Sequence, residues 1–228
     1  MKILIVLAVI VIAVIITRKN KSSGKTKSYE EMRDEIGIEL SPEQEKREEE
    51  KYHEIAEQTI SALEASGYFK ADYLPILADK IRERTVPGYR YSDPFDKKDC
   101  LTLEEKKKLG LNTRAKYSRE LINGLTEKGL STEDPNELVK NTWLANMHKV
   151  SRKYKLQELK DAGFKYVKIL HCNDERDCKA VKLCKKRWPI DEVPELPLPN
   201  CNSPYCRCMY VSDVKDFKND IDLSKLRK

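Results

Sequence analysis

Six of the seven cysteines of this 228-residue chain fall within one short stretch, residues 171–208. The stretch contains several prolines and no long apolar run, so it cannot bury enough surface to fix its own loops. A cross-link must therefore hold it, either a metal bound by thiolates or a set of disulfides. The redox compartment decides between them, because a reducing cytosol favours metal-bound thiolates. The six cysteines are Cys172, Cys178, Cys184, Cys201, Cys206 and Cys208.

The N-terminus indicates the compartment. Residues 3–17 are uncharged and apolar, and as a helix they would rise about 22 Å, against a hydrocarbon core of roughly 30 Å. Lys2 and Arg18 can snorkel and the bilayer can thin, so residues 1–17 are long enough to serve as an anchor. No Ala-x-Ala-like cleavage site closes the run, which favours an uncleaved anchor over a signal peptide. The sequence therefore predicts a single membrane span.

The charges after the span predict its orientation. Five bases follow it within residues 18–27, whereas Lys2 and the amino terminus precede it. The positive-inside rule then places the body in the cytoplasm. The thiols are expected to be reduced there.

Residues 18–40 are predicted to be a basic, polar tether, whose cations anionic lipid headgroups would attract. The chain carries a net charge of +6, although residues 30–64 hold thirteen acids against four bases. Residues 19–27 contain no aromatic side chain that could stack on a nucleobase. A membrane contact is therefore favoured over direct nucleic-acid binding.

Residues 41–163 are predicted to form a helical body. Ser41, Thr102 and Asp134 each begin a capping-box pattern, and apolar residues recur at helical spacing after them. Further helices are predicted over residues 72–84 and after Asn112, the latter carrying Tyr117, Leu121 and Leu125. The longest helix is predicted to run from Asp134 to the Gly163 stop, and its basic C-terminal half, Arg152 included, is explained by the helix dipole.

Residues 164–212 are predicted to form a small cysteine-rich module. Residues 164–170 alternate like a strand, residues 209–211 indicate a second one, and together they predict a two-stranded ribbon with the cysteine loops at one end. A polar tail, residues 213–228, follows. The expected fold class is α+β: a mainly helical body with a small cysteine-rich module, behind a membrane anchor.

The cysteine spacing predicts a structural zinc site. The ligands favoured are Cys172 and Cys178 from one side of the loop and the pair Cys206 and Cys208 from the other, a tetrahedral thiolate set that zinc prefers. Cys184 and Cys201 are reserve ligands. Two alternatives stay open at this point. Either the cysteines are free or linked by disulfides in an extracytoplasmic domain, or they hold an iron–sulfur cluster.

Three segments carry a family resemblance: DERDC at residues 174–178, WPIDE at residues 188–192, and a Pro/Leu-rich run leading into CRC at residues 206–208. They resemble the C-terminal domain of the phage Mu protein F family, over roughly residues 115–212. The family's second cysteine falls on Val181 here and its histidine on Ser203. The resemblance implies a head-morphogenesis or minor head protein of tailed phages, with phage head components as partners and a prophage origin. With that origin, the expected membrane is the bacterial inner membrane.

The alternative class of function is catalysis, in which the chain would be a toxin-like or thiol-dependent enzyme. Cysteine nucleophiles need a base placed beside the thiolate. The chain has three histidines, of which His53 and His148 fit surface or packing positions, and His171 would point away from its neighbour Cys172 on a strand. It shows no nucleophile elbow and no phosphate-binding loop. The sequence therefore favours a protein-interaction role over an enzymatic one.

Overall fold

The computed structural model describes residues 40–88, 91–95, 97–170, 187–199, 201–203 and 205–213. In these ranges the chain is a mixed structure of helices and a small antiparallel sheet, as the predicted α+β class requires. The helices are α1 (Pro42–Ser66), α2 (Leu74–Arg84), α3 (Leu103–Lys108), α4 (Arg119–Gly124), α5 (Glu127–Leu130) and α6 (Glu137–Asp161). The strands are β1 (Tyr166–Leu170), β2 (Trp188–Pro189) and β3 (Met209–Ser212).

Several predictions fall outside the described residues. These are the membrane anchor, nearly all of the tether, the tail beyond Asp213, and Cys172, Cys178 and Cys184. Within the described ranges, none of the helices combines the length and the apolar character that crossing a bilayer demands.

Helix α1 begins and ends where the sequence predicts. The Ser41 hydroxyl accepts the Gln44 backbone N–H, and the Gln44 side-chain oxygen accepts the Ser41 N–H at 2.9 Å, which completes the capping box. Gly67 ends the helix with a φ of 66°, a left-handed conformation that glycine adopts without steric cost. The buried stripe contains Ile55, Ala56, Thr59, Ile60 and Leu63.

Three other helix predictions need correction. The second helix begins at Leu74, two residues later than predicted. The helix expected after Asn112 begins only at Arg119, because residues 112–118 turn back to pair Cys100 with Ser118. The box expected at Asp134 does not form, since its carboxylate accepts the Asn136 N–H at 3.0 Å and α6 starts at Glu137. The box at Thr102 is confirmed.

Helix α6 contributes buried residues to each of three hydrophobic clusters in the described residues. Val139 belongs to the main helical core, Trp143 and Val150 pack with Ile55 of α1, and Leu159 belongs to the core of the cysteine module. The Trp143 indole N–H donates to the Thr85 hydroxyl at 3.0 Å, and both residues are buried. Because the helix packs against both α1 and β3, it connects the helical body to the module.

The sheet has three strands in the order β2-β1-β3, so the predicted two-stranded ribbon is incomplete. β1 and β3 pair antiparallel, with Leu170 opposite Met209, and this pairing confirms the two predicted strands. The additional strand, Trp188–Pro189, pairs with the other edge of β1. It is two residues long and contains a proline, which suits an edge strand and gives no alternation that could predict it.

Candidate metal centre

The C-x-C pair lies immediately before β3 and is buried. Cys206 is 7% exposed and Cys208 is 4% exposed, and both belong to the module core together with Leu196 and Tyr210. Cys201 packs against the same core, and Cys201 and Cys206 carry free thiols. The fold therefore buries both C-terminal ligands of the predicted zinc site in one core, and one reserve ligand packs against that core.

The other predicted ligands, Cys172 and Cys178, and the second reserve, Cys184, lie outside the described residues. Among the residues that are described, His, Cys, Asp and Glu side chains do not gather in groups of three or more that could hold a metal ion. The four-thiolate site thus remains a prediction.

Arg152 is the residue whose structural role sequence reasoning missed. It projects from α6 and is only 3% exposed. One terminal nitrogen, Nη1, donates to the carbonyl oxygens of Cys206 at 2.8 Å and Cys208 at 3.4 Å, and Nη2 donates to that of Leu196 at 3.2 Å. The guanidinium therefore fixes the backbone of the C-x-C pair and of the proline-rich loop at once.

The sequence offers one signal for this role, and it is visible only in retrospect. Arg152 lies seven residues before Leu159, so the two share a face of α6, and Leu159 packs in the module core. The apolar stripe of the helix runs through Val139, Trp143 and Val150, on a different face. Without knowledge of where the module packs, Arg152 is one base among several near the helix end.

The surroundings of Arg152 act on its charge in opposite directions. Burial lowers the pKa of the guanidinium, since it disfavours the charged form. Electrostatic interaction with Cys206, and then with Tyr210, Cys208 and Cys201, raises that pKa again. Among the described residues, the groups that offset the effect of burial on Arg152 are thus three cysteines and Tyr210.

His148 lies one turn before Arg152 on α6 and packs against Tyr205, which immediately precedes the C-x-C pair. Its ring stacks on Tyr205 with the centroids 6.1 Å apart and the planes 8° from parallel. Burial, followed by the charges of Arg152 and Arg207, lowers the pKa of His148 to about 4. The imidazole is therefore neutral at pH 7 and serves the packing role expected of it.

A buried carboxylate holds the three strands together. Asp213 is 3% exposed, lies just after β3, and was assigned from sequence to the polar tail, which is a correction. Its Oδ1 accepts a hydrogen bond from the ammonium of Lys168 on β1 at 2.8 Å. Its Oδ2 lies 3.3 Å from Nε of Arg187, which precedes β2. The Arg187 guanidinium also covers the Tyr166 ring at 3.7 Å. This charge clamp fixes the strand that follows the C-x-C pair.

The proline-rich loop is also tied down. The Tyr210 hydroxyl donates to the Pro194 carbonyl at 2.9 Å, while Leu196 is buried beneath Arg152. Ser203, at the position of the family's histidine, donates its hydroxyl to the Tyr205 carbonyl at 2.9 Å. The loop and the C-x-C segment are thus held by side-chain bonds to backbone oxygens.

This chain matches no protein-family model, no curated protein and no solved structure. The likeness to the phage Mu protein F family consequently depends on the three quoted sequence segments, and it stays a prediction.

Proposed function

We propose that this chain is a membrane-anchored, protein-interaction protein of the Mu F-like head-morphogenesis type, whose cysteine-rich module is stabilised by a structural zinc ion. The observation that carries the proposal is the burial of Cys206 and Cys208 in a small core that α6 braces through Arg152. Two buried thiols on a loop fixed in this way support a closed thiolate site.

The donor set fits zinc in its chemistry. Cys206 and Cys208 are separated by one residue and are buried, and Cys201 and Cys206 carry free thiols. Zinc takes four sulfur ligands in structural sites, and a complete thiolate set leaves no open position for a reacting water. Such a centre supplies stability and no catalysis, in agreement with the protein-interaction role.

The module also has reason to need a metal. In the described residues its core has eight buried side chains, two of them cysteines, and one of its three strands has two residues. Binding of a structural zinc ion supplies roughly 10 to 16 kcal/mol in finger peptides, and in such modules it appears as folding energy. Chelation should therefore unfold the module while leaving the capped helices of the body in place.

The zinc proposal is tested on the purified full-length protein by elemental analysis and limited proteolysis. One zinc per chain is expected, and Cys206→Ser or Cys208→Ser should lose both the metal and the protection of residues 187–213. Cys100→Ser is the matched control, because Cys100 lies in the helical body and bonds the Lys97 carbonyl. A wild-type protein without metal whose proteolysis is unchanged by chelator would contradict the proposal.

The anchor is tested separately. Residues 3–17 should hold the chain in the membrane pellet after carbonate extraction, and a protein lacking residues 1–17 should move to the supernatant. The five bases after the span predict a protease-sensitive body only in inside-out vesicles. Protection in inside-out vesicles, with cleavage in intact spheroplasts, would reverse the orientation and favour the disulfide alternative.

The partner follows from the resemblance. A prophage-derived protein of this type would bind phage head components, and the test is co-purification of the full-length chain with head proteins encoded beside it. The Cys206→Ser variant is the matched control, since it should lose the partner together with the folded module.

A further inference from the structure

Helix α3 projects from the helical body and buries none of its own side chains. The chain enters the helix after Leu101 and leaves it before Leu111, and both of these leucines are buried in the helical core. Between them, residues 102–104 and 107–110 are exposed. A Cβ built on Gly110 would meet no described atom within 4 Å. The core therefore holds both ends of this segment, and the helix between them faces outward.

Local hydrogen bonds hold α3 in its exposed position. Thr102 and Glu105 complete the capping box, and Glu105 also accepts two hydrogen bonds from the Arg119 guanidinium. The Lys106 ammonium donates to two carbonyl oxygens of residues 113–115, so the turn that follows lies beside the helix. A helix of six residues is unstable on its own. These bonds therefore fix a surface that the packing of its own side chains does not stabilise.

Two large apolar side chains lie on this surface. Leu103 is 53% exposed, and Leu109, the C-cap residue, is 44% exposed. Each lies three positions from Lys106, so the three residues form one row along the helix. A single exposed leucine is common on a protein surface. Here both apolar residues of the helix and its cap point outward, which is typical of an interaction surface.

Cations surround the two leucines. Residues 97–119 contain eight bases against three acids. Two of the acids, Asp99 and Glu105, pair with Arg119. Four of the bases are exposed and form no ion pair with a described residue, namely Lys107, Lys108, Arg114 and Lys116. The partner that complements this surface in charge is therefore anionic.

The residue types favour a lipid surface over the other anionic partners. Protein interface cores are depleted in lysine, and Trp, Tyr and Arg dominate their binding energy. Residues 97–116 contain no aromatic side chain that could stack on a nucleobase. Lysines beside exposed leucines suit a bilayer, because leucine enters the acyl boundary while lysine keeps its ammonium among the headgroups.

We propose that the exposed residues of 102–116 are a second membrane contact, which docks onto a bilayer that contains anionic lipid. Leu103 and Leu109 enter the boundary between headgroups and acyl chains, and the cations lie against the headgroups. This inference rests on the membrane-anchored part of the proposed function, since the anchor and the tether would keep the body close to a bilayer. It uses neither the zinc site nor the phage partner.

The test uses the full-length chain in lipid nanodiscs, with Leu109→Trp as a depth probe. The added indole should be quenched by lipids brominated near the headgroup when the bilayer contains anionic lipid. In a zwitterionic bilayer this quenching should be lost, because the attraction of the lysines is electrostatic. The wild-type chain, with Trp143 and Trp188, provides the background emission. Ile76→Trp is the matched control, because Ile76 is 50% exposed on α2 and should stay unquenched in both bilayers.

Charge reversal tests the role of the cations. In the Leu109→Trp chain, Lys107→Glu together with Lys108→Glu should lower the ratio of docked to undocked α3 by about 30-fold, since each base near an anionic surface contributes about 5-fold. Lys46→Glu together with Lys155→Glu is the matched control. It changes the net charge equally, but these lysines pair with glutamates on α1 and α6, so the quenching should persist.

The outcomes separate this contact from the anchor. Equal quenching of Leu109→Trp and Ile76→Trp, or equal loss with both charge reversals, overturns the α3 contact and leaves the anchor in place. An unquenched indole at position 109 whose emission shifts as the chain concentration rises shows that α3 covers a second copy, and it also overturns the lipid contact. A chain that carbonate extracts from the membrane, but whose probe is quenched on anionic bilayers, overturns the anchor while the α3 contact stands.

Discussion

The charge clamp at Asp213 allows a quantitative test of how the module is held. Asp213→Asn keeps the shape of the side chain and removes its charge. In the native protein this carboxylate is 3% exposed and is bonded by Lys168 from β1 at 2.8 Å, with Arg187 at 3.3 Å on its other oxygen. The substitution therefore removes the common partner of two cations that come from different parts of the sheet.

The magnitude follows from the burial of the three groups. Removing one member of a fully buried ion pair costs about 3 to 5 kcal/mol, because a charge is left without compensation. Here the Lys168 and Arg187 side chains are 41% and 40% exposed, so water can take up their charges. The expected loss is accordingly that of a hydrogen bond to a charged group, about 1.5 to 3 kcal/mol.

Urea unfolding of the full-length protein, followed by tryptophan emission, measures this loss. With a slope of about 1 to 3 kcal/mol per molar urea, the midpoint should fall by roughly 0.5 to 3 M. Glu158→Gln is the control, because it breaks the exposed pair with Lys155 on α6, and it should shift the midpoint very little. If Asp213→Asn unfolds at the same urea concentration as Glu158→Gln, the clamp does not stabilise the module.

Two further predictions concern the helical body. Thr85→Val leaves the buried indole N–H of Trp143 without its acceptor, so the free energy of unfolding should fall by about 1 to 3 kcal/mol; a value within error of wild type in the same urea assay would refute this. The Arg119 hydrogen bond, followed by bonds from Thr102, lowers the pKa of Glu105 to about 2 from its ordinary 4.5. A carboxyl with a depressed folded pKa stabilises the fold above its unfolded pKa, and this stabilisation is lost as the pH falls from about 4.5 to about 2. An NMR titration of the Glu105 carboxyl carbon should have its midpoint near 2, and a midpoint near 4.5 would show that the pair does not form.

Much of the helical body could be predicted because its signals are local. The caps at Ser41 and Thr102 bond to a backbone group three residues away, so the sequence alone contains every atom involved. The Asp134 prediction was wrong for a local reason too. Its carboxylate bonds the amide two residues on, and the helix begins after that turn.

The sheet was only partly predictable. Residues of β1 and β3 alternate along the chain, and that alternation indicates strands. Strand β2 has no such pattern, since a two-residue edge segment that contains a proline is defined by its partner β1 and by nothing within itself.

The sequence by itself determined the capped helices, the two main strands and the concentration of thiols near the C-terminus, because each of these features depends on residues close together in the chain. Only the tertiary structure decided what Arg152 and Asp213 do. Sequence reasoning assigns Arg152 to the helix dipole and Asp213 to the polar tail, yet each is buried. Arg152 bonds the Leu196 carbonyl, 44 residues away, and Asp213 bonds the Lys168 ammonium, 45 residues away. A charge becomes a structural element only when folding removes water from around it, and no local pattern records which charges those are.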